Sequence, residues 1–71
     1  MDSEEYSDGH ISERELEVLL KLANGKASRL IAQELGISID GVNFHRKKLL
    51  EKLDSDNVAQ LIYLATKKGL I

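Results

Sequence analysis

Apolar residues recur along this chain with a helical period. Leu16, Leu19, Leu20 and Ala23 fall at i, i+3, i+4 and i+7, the spacing that lines one side of an α-helix. Val18 and Leu22 widen that side. Just before them, "SERE" (12–15) is a capping box, in which the Ser12 hydroxyl accepts from the amide of Glu15 and that carboxylate reaches back to Ser12. "NG" (24–25) closes the helix, glycine being suited to a left-handed cap. A second helix is predicted from Ser28 as its cap, carrying Leu30, Ile31 and Leu35 and stopping at Gly36. A third spans 38–53, capped by Ser38, with Ile39, Val42, Leu49, Leu50 and Leu53 on its apolar side. "DSDN" (54–57) is a turn, and Ser55 or Asp56 begins a fourth helix with Val58, Leu61, Ile62 and Ala65 on one stripe. Lys67 and Lys68 sit in its last turn, where cations suit the helix dipole, and Gly69 ends it. Proline is absent, and neither strand-like alternation nor a repeat is visible. The pattern predicts an all-α, four-helix bundle over residues 11–71.

The 71 residues make one domain, with a single small core. No cysteine is present, so neither a disulfide framework nor a thiolate zinc site is expected. The apolar runs are too short to span a membrane and no signal peptide is visible, which points to the cytoplasm. Residues 1–10 are acidic and aperiodic. They read as a flexible tail or linker, either an ordinary terminus or the end of a connection from an upstream domain.

Charge changes the picture. The net value of −2 argues against a nucleic-acid partner, but Asp2, Glu4, Glu5 and Asp8 place −4 in the first nine residues, which leaves ten basic and eight acidic side chains, or +2, on residues 10–71. Between 26 and 52, Lys26, Arg29, Arg46, Lys47, Lys48 and Lys52 outnumber Glu34, Asp40 and Glu51. Local charge governs contact with a phosphate backbone more than the total does.

The second and third helices together carry a helix-turn-helix spacing. Ala32, Gly36 and Val42 lie four and six apart. A small residue at 32 lets the helices cross closely, Gly36 accepts the tight turn, and Val42 plugs the joint with Ile31, Leu35 and Ile37. On the third helix, positions 40, 43, 44, 47, 48 and 51 face away from the core. In a recognition helix, Asn43 on that face can pair bidentately with adenine, Lys47 can donate to guanine, and Phe44 can pack on a thymine methyl. Two residues there are odd. Gly41 costs about 1 kcal/mol relative to alanine inside a helix, and Phe44 falls among polar neighbours. Gly41 in the first turn can let a phosphate or the second helix come close, or is simply tolerated. Phe44 either meets DNA, folds over the core edge or meets another partner. Asp40 either supports the helix dipole or accepts from cytosine N4.

The chain resembles the LuxR/GerE-type helix-turn-helix domain, the DNA-binding output module of bacterial transcription regulators. The resemblance rests on "ISERELEVLLKLANGK" (11–26), "IAQELGIS" (31–38), "VNFHRKKLLEKL" (42–53) and "AQLIYLATKKGLI" (59–71). Arg14–Glu15, His45, the "KL" at 52–53 and the terminal "GLI" all recur in place. The sequence departs from the family's pattern at Ala27 and Ser28, where serine and asparagine are usual, at Leu30 for glutamate, at Gly41 for threonine and at Asn43 for lysine. The lost hydroxyls at 27 and 41 remove possible phosphate contacts. The resemblance implies base contacts from Asn43, Phe44 and Lys47, with phosphate contacts from Lys26, Ser28, Arg29, Ser38, Arg46 and Lys48. It also implies a homodimer on double-stranded DNA through the fourth helix, at Ala59, Tyr63, Leu64 and Thr66, and an upstream regulatory domain. A response-regulator receiver is the commoner such domain and a small-molecule sensor the second. Tyr63 and Leu64 can alternatively pack on the first helix.

His45 reads as a semi-buried packing residue that bonds a backbone carbonyl or a phosphate. No metal is expected, since His10 lies in the tail and no cysteine is available. No cofactor is expected either. Catalysis is disfavoured too, as no nucleophile–base pair or glycine-rich phosphate loop appears. The rival reading is a protein-interaction module that keeps the fold without DNA binding.

Overall fold

A computed structural model of the protein describes residues 10–71. Four helices follow in order: α1 (Glu13–Ala23), α2 (Ser28–Leu35), α3 (Ile39–Lys52) and α4 (Val58–Lys67), with no strand among the described residues. α1 packs on all three others, and α3 is gripped between α1, α2 and α4. The bundle closes on Val18, Leu19 and Leu22 of α1, Ile31 and Ala32 of α2, Val42 and Leu49 of α3 with the adjoining Leu53, and Leu61 and Ala65 of α4. Ala32 and Val42, the small residue and the plug of the helix-turn-helix, are both buried. Gly36 between them has φ 69°, a left-handed conformation that costs a residue without Cβ nothing.

The caps explain where the helices begin. The Ser12 box forms as expected, Glu15 N–H donating to Ser12 Oγ at 3.1 Å and Ser12 N–H to Glu15 Oε1 at 3.0 Å. Ser38 Oγ accepts from Gly41 N–H at 2.9 Å. Two caps differ from expectation. Ala27, not Ser28, caps α2 and has no side chain that could bond there, while Ser28 is the first helical residue and its hydroxyl turns to Asn43. Asn57, rather than Ser55 or Asp56, caps α4, its Oδ1 accepting from Gln60 N–H at 2.8 Å.

The buried stripe of α1 is turned by one residue from the apolar spacing. It runs Glu15, Val18, Leu19 and Leu22, while Leu20 and Ala23 are exposed. Glu15 has only 5% of its surface exposed. It is tolerated there because Lys52 Nζ donates to its Oε1 at 2.7 Å. Burial pushes the Glu15 carboxyl up, but Lys52 and the Ser12 amide outweigh that and hold it below the usual carboxylate value. Lys52 Nζ also donates to the His10 carbonyl at 2.8 Å. The rest of the segment read as a tail or linker lies outside the described residues. Leu30 and Ile39 are likewise exposed rather than core. Each lies in the first turn of its helix, before the packed part begins.

Candidate nucleic-acid interface

Packing of Val42 and Leu49 fixes which side of α3 is left outside. Asp40, Asn43, Phe44, Lys47 and Glu51 are exposed on that side, and Lys48 is half-buried beside them. Phe44 keeps 57% of its surface open, so it does not fold over the core edge. Its ring meets His45 edge-on, with centroids 5.7 Å apart, and the Lys48 ammonium lies 5.7 Å above its centroid. Those neighbours hold the ring without covering it. Lys47 stands between two shallow clefts, one lined with Asn43, Arg46 and Leu50, the other with Phe44, Lys48 and Glu51. The three base-contact candidates thus share one open surface.

Asn43 is held from behind. Ser28 Oγ donates to Asn43 Oδ1 at 2.9 Å, and Arg46 Nη1 donates to Ser28 Oγ at 3.4 Å. This chain joins the first turn of α2 to the middle of α3. Periodicity gave no sign of it, since it links residues on different helices. No local signal marks it, because the sequence pattern assigns Ser28 to the cap of its own helix.

The candidates for phosphate contact fall into different situations. Arg29 is exposed, and Arg46 and Lys48 are half-buried on α3. Ser38 is occupied as a cap. Lys26 is engaged within the protein: its Nζ donates to both oxygens of Glu34, at 2.9 and 3.0 Å, while Lys21 Nζ reaches Oε1 at 2.7 Å. Lys21 and then Lys26 hold the Glu34 carboxyl below its ordinary value. Sequence reading missed this clamp between α1, α2 and the connecting turn. Only the i, i+8 pairing of Lys26 with an acid hinted at it.

Gly41 has a local reason. A Cβ there would come 3.2 Å from Ser38 Oγ and 3.6 Å from Ile37 Cδ1. The nearest crowding therefore comes from the cap and the turn, and not from the second helix. His45 is half-buried as expected, but its Nδ1 is enclosed without a hydrogen-bond partner, as is Nη1 of Arg14. On α4, Ala59, Tyr63 and Thr66 are exposed and Leu64 is half-buried. Tyr63 lies under the Lys67 ammonium, 5.7 Å from its ring centroid, and is too open to be packed on α1. No cluster of metal-binding side chains occurs among the described residues, and none of their helices is long and apolar enough to cross a membrane.

Comparison with known proteins decides the family. The model of the bacterial regulatory proteins, luxR family, matches residues 10–65. The chain belongs to the LuxR family. Membership implies DNA binding by a helix-turn-helix domain of transcriptional regulators. Among its LuxR-family relatives, the transcriptional activator protein ExaE of Pseudomonas putida is 43% identical over 86% of this chain and 28% of its own length. The regulatory protein SdiA of Escherichia coli K12 is 42% identical over 87% of this chain and 26% of its own. The response regulator ChrA of a heme-sensing two-component system superposes with a TM-score of 0.84 at 35% identity, covering 87% of this chain and 31% of that one. The chain therefore spans roughly a quarter to a third of the length of these three proteins.

Proposed function

We propose that the chain binds specific sites in double-stranded DNA by laying α3 in the major groove. The observation that carries this reading is the joint exposure of Asn43, Phe44 and Lys47 on a helix whose other side is locked into the core. A groove presents acceptors on guanine and a methyl on thymine, and Lys47 and Phe44 match these. Arg29, Arg46 and Lys48 flank them as phosphate contacts, joined by Ser38 and by Lys26 when it leaves Glu34, while the Ser28 hydroxyl is turned to Asn43 instead. Asp40 stands in the first turn of α3, where it supports the helix dipole.

Two copies pair on DNA through the exposed side of α4, at Ala59, Tyr63, Leu64 and Thr66. That pairing sets two recognition helices about one DNA turn apart on a two-fold site. The patch is too small to hold a dimer without DNA. An upstream regulatory domain, a phosphorylated receiver in the first instance, switches the assembly within the cytoplasm. ChrA is a response regulator by name, which favours the receiver.

Titration of the domain against random duplex at two salt concentrations tests the reading. Affinity falls steeply as salt rises, because bound cations are released from the phosphates. Absence of binding even at low salt overturns it in favour of a protein-interaction module. Site selection from a random duplex library then reports the readout and half-site spacing together.

A further inference from the structure

The chain of hydrogen bonds from Arg46 through Ser28 to Asn43 has a direction. A guanidinium only donates, so Ser28 Oγ accepts from Arg46 Nη1 and spends its single proton on Asn43 Oδ1. Turning the Asn43 amide over would leave the Ser28 proton without this acceptor, which is unfavourable. Bonds in such a series also polarise one another. The Asn43 carbonyl is therefore turned toward α2, while the residue itself stays exposed on the outer face of α3.

An adenine fork needs both ends of the amide on one base edge, Oδ1 accepting from N6 and Nδ2 donating to N7. Oδ1 keeps a second lone pair, but its bond to Ser28 aims the carbonyl at α2, so the N–H end is the end left to face the groove. A lone donor suits bases with acceptors at the edge. Guanine offers two, N7 and O6, and thymine offers O4, whereas adenine sets an amino group beside its N7 and cytosine offers only an amino group. We propose that Ser28 is a positioning residue that sets base preference at the Asn43 position, turning a side chain suited to adenine into a donor that favours guanine. This deepens the DNA-binding reading and rests on it.

Site selection from a random duplex library, run with the wild type, Ser28→Ala, Ser28→Thr and Asn43→Ala, tests the proposal. The position that loses its preference in Asn43→Ala is the one that Asn43 reads. There the wild type is expected to favour guanine over adenine by about five-fold, the lower end of the range for a bidentate base contact, because the amide acts through its donor end alone. Ser28→Ala moves that ratio toward adenine, and Ser28→Thr, which keeps the hydroxyl, restores it. Affinity lost equally on every duplex, with the ratio unmoved, makes Ser28 a phosphate contact and overturns the proposal. A wild type that prefers adenine overturns it as well.

A second measurement needs no DNA. In the free protein, the NMR order parameter of the Asn43 side-chain amide falls in Ser28→Ala and holds in Ser28→Thr. An unchanged value in Ser28→Ala means the latch does not hold Asn43, and the proposal fails even if the domain binds DNA well. A falling value together with no sequence selection by the wild type removes the DNA-binding reading, and the specificity role goes with it, while the latch remains.

Discussion

Lys52 Nζ lies 2.7 Å from Glu15 Oε1, with 12% and 7% of the two side chains exposed, and so ties the end of α3 to the first turn of α1. Removing the cation strands a carboxylate in the interior.

Lys52→Met is expected to destabilise the domain by about 3 kcal/mol, the lower end for a broken buried pair. That is a large part of what a chain this size has in hand. Adding Glu15→Gln recovers most of the loss, because glutamine keeps the Ser12 box without the stranded charge. Urea unfolding of the single and double variants gives the comparison. Equal stability of the Lys52→Met protein and the wild type would show that the pair contributes nothing.

Acid should weaken the fold through the same carboxyl. The folded Glu15 binds its proton less readily than the unfolded one, so its contribution is fully present above the unfolded value of about 4.3. It is lost as pH falls through the lower, folded value. The urea midpoint therefore drops with acidification below about pH 4.3, and it drops less in Glu15→Gln. Parallel pH profiles for the two proteins would assign the acid sensitivity to other carboxylates.

Much of this architecture was legible in the spacing of apolar residues. The element order, the Ser12 and Ser38 caps, and the turn at Gly36 all appear where the pattern puts them. The face of α1 does not. Apolar spacing centred it on Leu16, Leu19, Leu20 and Ala23, because a carboxylate is not counted as core. Glu15 becomes tolerable inside only beside Lys52, 37 residues away, and no local pattern can see that far. The outward side of α3 was readable because helical period alone decides it. The Ser28 link to Asn43 and the Glu34 clamp were not, since each joins separate helices.

Lys47→Ala is expected to weaken binding to the selected site by about 1–3 kcal/mol and to relax preference at one base position. Phe44→Ala should lose preference at a thymine, with stability changed by no more than about 0.5 kcal/mol, since the ring is mostly outside. Competition titrations with single-base variants of the site measure both. Losses identical on every duplex would move Lys47 from base to phosphate contact.

At Gly41, helix propensity and capping pull in opposite directions. Alanine gains about 1 kcal/mol of propensity, but its methyl would press on Ser38 Oγ at 3.2 Å and weaken a cap worth about as much. Gly41→Ala is therefore nearly neutral in the wild type and stabilising by about 1 kcal/mol in a Ser38→Ala background. A thermal or urea cycle over the four proteins measures the coupling, and zero coupling would mean the cap does not feel the methyl.

Glu34→Gln releases Lys21 and Lys26 from their shared carboxylate. Binding should tighten on all duplexes alike, and its salt dependence should steepen by about one released counterion. Salt-dependent titration of the variant beside the wild type reads this. A gain confined to one sequence would point to base reading near Glu34 instead.

The bond between Lys52 and the His10 carbonyl settles where the polypeptide enters the domain. Asn43 and Lys52 are nine positions apart on one helix, or about 14 Å along its axis. His10 is thereby pinned at the heel of α3, with the toe that carries Asn43 left clear. Where α3 reads a duplex as proposed, that anchor sits at the end of the helix remote from Asn43 and does not obstruct it.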